Sequence, residues 1–144
     1  RTCGRDGGLI IGVDLKKDPG MLLRAYNDRE GITAKFNLNL LVRLNSELGM
    51  DFHINRFSHV AVYDPRAGRI EMHLISLADQ TTRLDGTEFT FVKGESIWTE
   101  SSYKFTVDEF AGIASSAGFN VEKVWTDDDS LFSVQYLTVP SPAE

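Results

Sequence analysis

A polar run late in the chain carries the residues best suited to binding a small ligand. Residues 98–105 read WTESSYKF and follow a short apolar strand pattern. If that strand continues, Glu100 and Ser102 lie on the same side of it, because side chains alternate between the two faces of a strand. A carboxylate beside a hydroxyl can bind a small polar cation or an imidazole. The pattern is also typical of an ordinary sheet edge, so both interpretations stay open.

The other side chains that commonly perform catalysis are scattered along the chain. His53, His59 and His73 include no pair at the i, i+4 spacing of a metal-binding helix, so no metal site is predicted. Cys3 has no evident basic neighbour that would generate a thiolate. The glycines within residues 4–8 precede a strand, whereas a cofactor-binding loop follows one. The chain also lacks G-x-G-x-x-G, a Walker-type loop and G-x-S-x-G.

Three asparagines occur within a predicted helix, where asparagine is a poor interior residue. A solvent-facing position is the ordinary explanation, and it is favoured for Asn45. For Asn37 and Asn39, a polar contact within a binding site is an equally good explanation.

Composition excludes several classes of protein. The 144 residues are 42% hydrophobic and 25% charged, as in one compact globular domain, and the net charge of −6 argues against nucleic-acid binding. The longest apolar run, residues 9–13, is far too short to span a membrane. One cysteine cannot form an internal disulfide, so we expect a cytoplasmic protein. No targeting signal is visible, although the chain begins at Arg1 and not at Met.

Hydrophobic periodicity predicts α/β elements at both ends of the chain. The apolar run at residues 9–13, with Asp14 at its end, predicts a fully buried strand of a parallel sheet, which leads us to expect further strands upstream of Arg1. Asp18 and Pro19 begin a short helix, and apolar residues spaced by three and four predict a helix over residues 31–48. The predicted elements at the other end are a helix capped by Thr106 and Glu109 and ended by Gly118, and strands at residues 121–125 and 131–137.

The middle of the chain changes to the alternation of an antiparallel sheet. Two hairpins are predicted, with turns at residues 64–68 and 85–86, and residues 96–98 form one more strand. The predicted fold is therefore α/β, with an antiparallel α+β insertion that binds substrate.

Several motifs follow one another in a fixed order: residues 12–19 (GVDLKKDP), 25–28 (AYND), 31–34 (GITA), 36–39 (FNLN), 69–72 (RIEM), 99–105 (TESSYKF) and 125–127 (WTD). This series, which covers essentially the whole chain, resembles the histidine-specific SAM-dependent methyltransferase family. The best-known activity of that family converts histidine to hercynine in ergothioneine biosynthesis.

The resemblance implies a Rossmann-like methyltransferase sheet, here represented by its C-terminal strands in the order 5-7-6, and an inserted antiparallel substrate-binding domain. Residues 1–15 would hold strand five, residues 16–104 the insertion, and residues 105–144 strands six and seven. The S-adenosyl-L-methionine (SAM) site would lie upstream of Arg1, in the missing N-terminal half of the same chain. The fragment alone would then be inactive.

The resemblance also assigns four substrate-binding residues. Tyr26 would hold the carboxylate of the amino acid, Met72 would shape the pocket around its imidazole, and Glu100 with Ser102 would hydrogen-bond the ring. The chain departs from the hercynine-forming members at Ser101 and at Tyr103, which precedes Lys104.

The predicted function is a SAM-dependent N-methyltransferase that acts on the α-amino group of histidine or a related amino acid. No nucleic acid, membrane or metal is expected. The alternatives are a non-catalytic small-molecule binding module and a methyltransferase for a different amine.

Overall fold

The computed structural model describes Gly4 and residues 7–139, so Cys3 lies outside the described residues. Within that part of the chain the fold is mixed α+β. The helices are α1 (Pro19–Tyr26), α2 (Ile32–Leu48) and α3 (Val107–Ser116), with a 3₁₀ turn at Ile54–Arg56. The strands are β1 (Gly8–Asp14), β2 (Phe57–Asp64), β3 (Arg69–Ser76), β4 (Gln80–Leu84), β5 (Thr87–Phe91), β6 (Ser96–Tyr103), β7 (Asn120–Thr126) and β8 (Phe132–Thr138).

The chain divides into two compact units. The first unit combines Arg1–Lys17 with Tyr103–Glu144, and the second unit is Asp18–Ser102. Each unit has its own sheet, and the two are described separately.

The first unit is built on a three-stranded sheet in the order β1-β8-β7. Both β1 and β7 run antiparallel to β8. Helix α3 packs against β7 and begins with the predicted capping box, in which Glu109 N–H donates to Thr106 Oγ1 and the Glu109 carboxylate accepts from Thr106 N–H. The helix ends just before Gly118, whose φ of 84° suits glycine at this position.

The sequence predicted that β1 is a fully buried strand of a parallel sheet, but among residues 7–139 it is neither fully buried nor paired with a parallel strand. Its sheet partner β8 is antiparallel, and Ile10 is 68% exposed, whereas Val13 is buried. Continuous apolar sequence indicates a strand that can be covered on both faces. It specifies neither the direction of the neighbouring strand nor the presence of a cover, and both depend on residues distant in sequence.

The second unit contains both predicted hairpins. Strands β2 and β3 pair antiparallel, and β6 joins β3 in the sheet order β2-β3-β6. Strands β4 and β5 form a separate two-stranded sheet. Their turn places Asp85 at φ 48° and Gly86 at φ 79°, as the type I′ turn of a tight hairpin requires. The strand predicted at residues 96–98 is longer than expected, because β6 continues to Tyr103.

Two apolar clusters form the core of the second unit. One cluster consists of Leu22, Ala61, Ile70 and Met72, with Leu23, Tyr26 and Tyr63 packed against it. The other consists of Leu41, Phe52, Phe57 and Leu74, where Phe52 and Phe57 meet edge to face with ring centroids 5.8 Å apart. The predicted start of α1 is confirmed, since Asp18 Oδ1 accepts from the Met21 N–H and Pro19 is the first helical residue.

No helix among residues 7–139 is both long enough and apolar enough to cross a membrane.

Candidate functional site

The end of α1 is tied to β2 by two neighbouring residues. The carbonyl oxygen of Tyr26 lies 2.8 Å from Nε2 of His59. The Asn27 side chain donates to the carbonyl of Ala61 and accepts from the N–H of Ala61, both at 2.9 Å. The Asn27 amide therefore satisfies the backbone groups of Ala61 as an adjacent strand would. These bonds hold the C-terminal end of α1 against β2.

The next residue, Asp28, ties the same segment to α2. Its carboxylate accepts from the N–H of Ile32 at 2.7 Å and from the N–H of Thr33 at 2.8 Å. Gly31, at the N-cap position with φ 67°, has no side chain to perform this task. Hydrogen bonds from the Thr33 side chain, then from the backbone of Thr33 and Ile32, lower the pKa of Asp28 to about 2. The carboxylate is thus charged at neutral pH and favourably placed at the positive end of the helix dipole.

The phenol of Tyr26 reaches from α1 to β6. Its hydroxyl lies 2.8 Å from Oγ of Ser102, and the aromatic ring packs against the cluster that contains Met72. Two of the residues assigned to the substrate site are therefore in direct contact, although 76 positions separate them in the sequence.

Strand β6 brings Glu100 and Ser102 to one side, as the sequence predicted for a continuous strand. Both are half-buried, whereas the intervening Ser101 is exposed. Next to them, Thr99 Oγ1 donates to the carbonyl of Met72 at 3.0 Å, which fastens β6 to β3 beside the site.

A cavity of about 240 Å³ opens where α2 faces β3 and β6. Its walls are Phe36, Asn37, Asn39, Leu40, Arg43, Met72, Thr99 and Glu100. The volume lies below the range of drug-sized pockets and suits a ligand of amino-acid size. Met72 and Glu100, two further residues assigned to substrate binding, share this cavity.

The α2 wall of the cavity is amphipathic. Phe36 is 68% exposed and Leu40 is 40% exposed, so an apolar surface faces outward where a helix usually presents polar groups. Arg43 supplies a positive charge opposite the carboxylate of Glu100, and its guanidinium also pairs with Glu47 at 2.8 Å. The cavity lining therefore combines one cationic, one anionic and several apolar side chains.

Of the three asparagines of α2, one lies within the site's supporting structure. Asn37 is 3% exposed, and its Nδ2 is 3.0 Å from His59 Nδ1 and 3.3 Å from the carbonyl of His73. Asn39 is exposed at the cavity wall. Asn45 is not the solvent-facing residue that the sequence favoured, because its side chain bonds both the N–H and the carbonyl of Phe52.

His53 and His73 do not line the cavity. His73 stacks on Trp98 with ring centroids 5.9 Å apart, and its Nε2 lies 3.3 Å from the Glu71 carboxylate. Arg69 lies 4.6 Å from the Trp98 ring centroid, and it also pairs with Glu71 at 2.6 Å. His53 is exposed before the 3₁₀ turn. No group of three or more metal-ligating side chains is found among the residues that the structure describes.

The first unit contains a buried charge pair of its own. Lys104 is 1% exposed, and its Nζ lies 2.8 Å from Asp14 Oδ2, while Lys17 Nζ lies 2.5 Å from Oδ1 of the same carboxylate. Burial raises the pKa of Asp14, but the hydrogen bonds and charges of Lys104 and Lys17 outweigh it and leave the pKa below its ordinary value. Loss of the Asp14 carboxylate would destabilise the unit, because it removes a charge partner of a buried lysine.

One feature that is common at nucleotide-cofactor sites is absent from the strand-to-helix connections of residues 7–139. Such a cofactor is held by a glycine-rich turn that leads from a strand into a helix. The two connections of that kind in residues 7–139, at residues 15–18 and 104–106, contain no glycine.

The four sequence-assigned residues thus form two adjoining pairs within the second unit. Tyr26 and Ser102 are hydrogen-bonded to each other, and Met72 and Glu100 line the cavity. Sequence reasoning missed the role of His59, because an isolated histidine in a strand carries no distinctive pattern. It also missed Asn27 and Asp28, although the AYND motif at residues 25–28 marked the segment.

Comparison with known proteins identifies relatives along nearly the whole chain. A family model described as "Histidine-specific methyltransferase, SAM-dependent" matches residues 1–139. The histidine N-alpha-methyltransferases of Mycolicibacterium smegmatis and Mycobacterium tuberculosis are 40% identical over 121 residues and 38% identical over 128 residues. Ergothioneine biosynthesis protein 1 of Neurospora crassa is 32% identical over 132 residues.

The alignments differ in how much of each protein they cover. They include 83%, 88% and 85% of this chain, but 38%, 40% and 14% of the three relatives in the same order. The chain therefore spans about 40% of the length of the two mycobacterial relatives. Because the family model matches residues 1–139, the chain belongs to the family of histidine-specific, SAM-dependent methyltransferases.

Proposed function

We propose that the protein is a SAM-dependent N-methyltransferase for the α-amino group of histidine or a closely related amino acid, and that this chain supplies its substrate-binding part. The observation that carries the proposal is the shared cavity of Met72 and Glu100 beside the Tyr26–Ser102 pair. Family membership and the names of the mycobacterial relatives support histidine as the substrate.

Each of the four residues has a distinct role in this proposal. Glu100 accepts a hydrogen bond from a ring N–H, which selects for a side chain that has one. Ser102 bonds the imidazole from the same side of β6, and Met72 forms an apolar wall against the ring. Tyr26 donates its phenol hydrogen to the substrate carboxylate. Together these contacts orient the α-amino group towards the methyl donor.

The chemistry requires orientation and a neutral amine. SAM supplies an electrophilic methyl group, and the amine must carry a lone pair aligned with it. An α-amino group has a pKa of about 8 in water, so it must lose a proton before it reacts. When the carboxylate and ring of the substrate are held in place, the reaction between the amine and the methyl group becomes effectively unimolecular. This positioning supplies the larger part of the rate enhancement.

The same proposal assigns the two parts of the chain to two domains. Residues 1–15 and 105–144 belong to the methyltransferase domain as strands five, six and seven, and residues 16–104 form the substrate-binding insertion. The order β1-β8-β7 supports this, because it is the order 5-7-6 that the family resemblance implies. SAM then binds upstream of Arg1, and this chain alone transfers no methyl group.

The test is substitution of Glu100 in the complete protein that contains this chain. We expect Glu100→Ala to raise the Kd for histidine about 10- to 100-fold, the value of a lost hydrogen bond to a charged group, while the Kd for SAM stays unchanged. Isothermal titration with each ligand measures both constants. Glu122→Ala, an exposed carboxylate of β7, is the control and should change neither. Equal losses for histidine and SAM would show that Glu100 does not bind the substrate.

A substrate panel separates the alternatives. Methyl transfer is followed by mass spectrometry with histidine, other amino acids and simple amines. Methylation of histidine supports the proposal. Methylation of another amine alone would show that the protein is a methyltransferase with a different substrate. Ligand binding without transfer to any amine would leave only a binding module.

A further inference from the structure

The contacts around His59 favour one tautomer of its neutral ring. The carbonyl of His73 can only accept a hydrogen bond, so the atom of Asn37 that lies 3.3 Å from it is the amide nitrogen. The same nitrogen lies 3.0 Å from Nδ1 of His59. Since the amide nitrogen can only donate, Nδ1 is the acceptor and carries no proton.

The other ring nitrogen has the opposite role. Nε2 of His59 lies 2.8 Å from the carbonyl oxygen of Tyr26, which again can only accept. Nε2 therefore carries the proton and donates it. The neutral Nε2–H tautomer satisfies both contacts, whereas the Nδ1–H tautomer would place a hydrogen against the Asn37 amide and a lone pair against the Tyr26 carbonyl.

The carbonyl that His59 binds belongs to the last residue of α1. Carbonyls in the last turn of a helix have no intrahelical donor and need another partner. His59 supplies that partner from β2, a strand hydrogen-bonded into the sheet, and Asn37 reaches it from the buried face of α2. A helix of eight residues has little stability by itself, so its end adopts the place that these contacts give it.

We propose that His59, held in its Nε2–H tautomer by Asn37, is a positioning residue that places the phenol of Tyr26 for substrate binding. The proposal rests on the proposed function, since it is through histidine binding by Tyr26 that His59 acts. Asn37 lines the substrate cavity, and its contact with His59 couples that wall to the far end of α1.

Two substitutions of His59 separate positioning from general stability. Glutamine places its amide nitrogen near the position of Nε2 and can still donate to the Tyr26 carbonyl. Asparagine places its amide near the position of Nδ1 and cannot reach that carbonyl. In the complete protein we expect His59→Asn to raise the KM for histidine about fivefold or more, the value of one lost hydrogen bond, and His59→Gln to restore most of it. The KM for SAM should not change in either variant.

A second pair of substitutions provides a matched control on α2. Asn37→Ala removes the donor to His59, and Asn45→Ala removes an amide that also bonds two partners but contacts Phe52 and not the site. Both variants should lower the Tm. Only Asn37→Ala should raise the KM for histidine, and equal KM values in the two variants would overturn the proposal.

The tautomer is measured directly by ¹⁵N NMR of the complete protein labelled in histidine, with the His59 signals identified by their loss in His59→Gln. We expect a protonated Nε2 and an unprotonated Nδ1. A protonated Nδ1 would overturn the inference even if the protein methylates histidine. If the tautomer is as expected but wild-type protein transfers no methyl group to histidine, the proposed function fails instead, and the positioning role fails with it.

Discussion

At the scale of single residues, the hydroxyl pair of Tyr26 and Ser102 joins the two structural elements that hold the proposed substrate. Tyr26 comes from a helix end and Ser102 from a strand, so each hydroxyl limits how far the other element can move. Glu100 lies two positions before Ser102 on the same strand, so the Tyr26–Ser102 hydrogen bond also restricts the movement of Glu100. The proposed ring-binding and carboxylate-binding groups are therefore mechanically coupled, and a defect in one should affect the other.

This coupling can be measured with a double-mutant cycle. We expect Tyr26→Phe and Ser102→Ala each to weaken histidine binding, and the double variant to weaken it by less than the sum of the two losses. The coupling energy should be at most about 1 kcal/mol, the net value of one hydrogen bond between neutral groups, because only the change in that bond on ligand binding affects the Kd. The Kd for histidine of the four proteins gives the cycle. Strictly additive losses would mean that the two hydroxyls act independently on the ligand.

At the scale of elements, the start of α2 depends on a residue that lies outside it. Gly31 occupies the N-cap position and cannot donate or accept through a side chain, so Asp28 performs the capping from three residues earlier. Asp28 therefore caps α2, the helix that forms one wall of the cavity, and it lies only two residues after Tyr26. Protonation of Asp28 should loosen both.

The pH dependence of this cap follows from the direction of its pKa shift. The pKa of Asp28 is lowered from 3.8 to about 2 in the folded protein, so its charged form is stabilised by folding. That contribution to the free energy of unfolding is complete above the unfolded pKa and is lost as the pH falls through the folded one. We expect the Tm difference between wild type and Asp28→Asn to be constant above about pH 5 and to shrink towards pH 2.

Thermal unfolding monitored by circular dichroism across this range measures the difference. Thr33→Val, which removes the largest cause of the shift, should move the loss of stability to higher pH. A Tm difference that is the same at pH 5 and pH 2.5 would show that the charge of Asp28 is not what stabilises the start of α2.

The elements also show what sequence can and cannot predict. Helix starts at Asp18 and Thr106 and both hairpin turns followed from local chemistry, because caps and turns use residues close together in sequence. The direction and burial of β1 did not, since they depend on β8, more than a hundred residues away. The four candidate substrate-binding residues came from the ordered motifs of the family resemblance, whereas the contacts of His59 join residues 22 and 33 positions apart, which no local pattern encodes.

At the scale of the whole molecule, the first unit has an apolar sheet face that the described residues leave open. Ile10, Trp125, Phe132 and Val134 share this face of the β1-β8-β7 sheet, and all of them are more than one third exposed. Strand β1 is also the end of the sheet order, and within residues 7–139 its other edge has only an isolated parallel bridge at its end, between Leu15 and Phe105. An open apolar face beside an edge strand with so little pairing favours further chain that extends the sheet.

That expectation yields the prediction that decides between the enzyme and the binding module. The larger part of each mycobacterial relative lies outside the region that this chain matches. We therefore expect the coding sequence upstream of Arg1 to encode alternating strands and helices, with a glycine-rich turn after one strand and an acidic residue at the end of the next, as a SAM site requires. Sequencing the gene upstream of Arg1 gives the answer directly. If the gene instead begins close to Arg1, no segment is available to extend β1 or to hold SAM, and the cavity at Glu100 then belongs to a protein that binds a small molecule without methylating it.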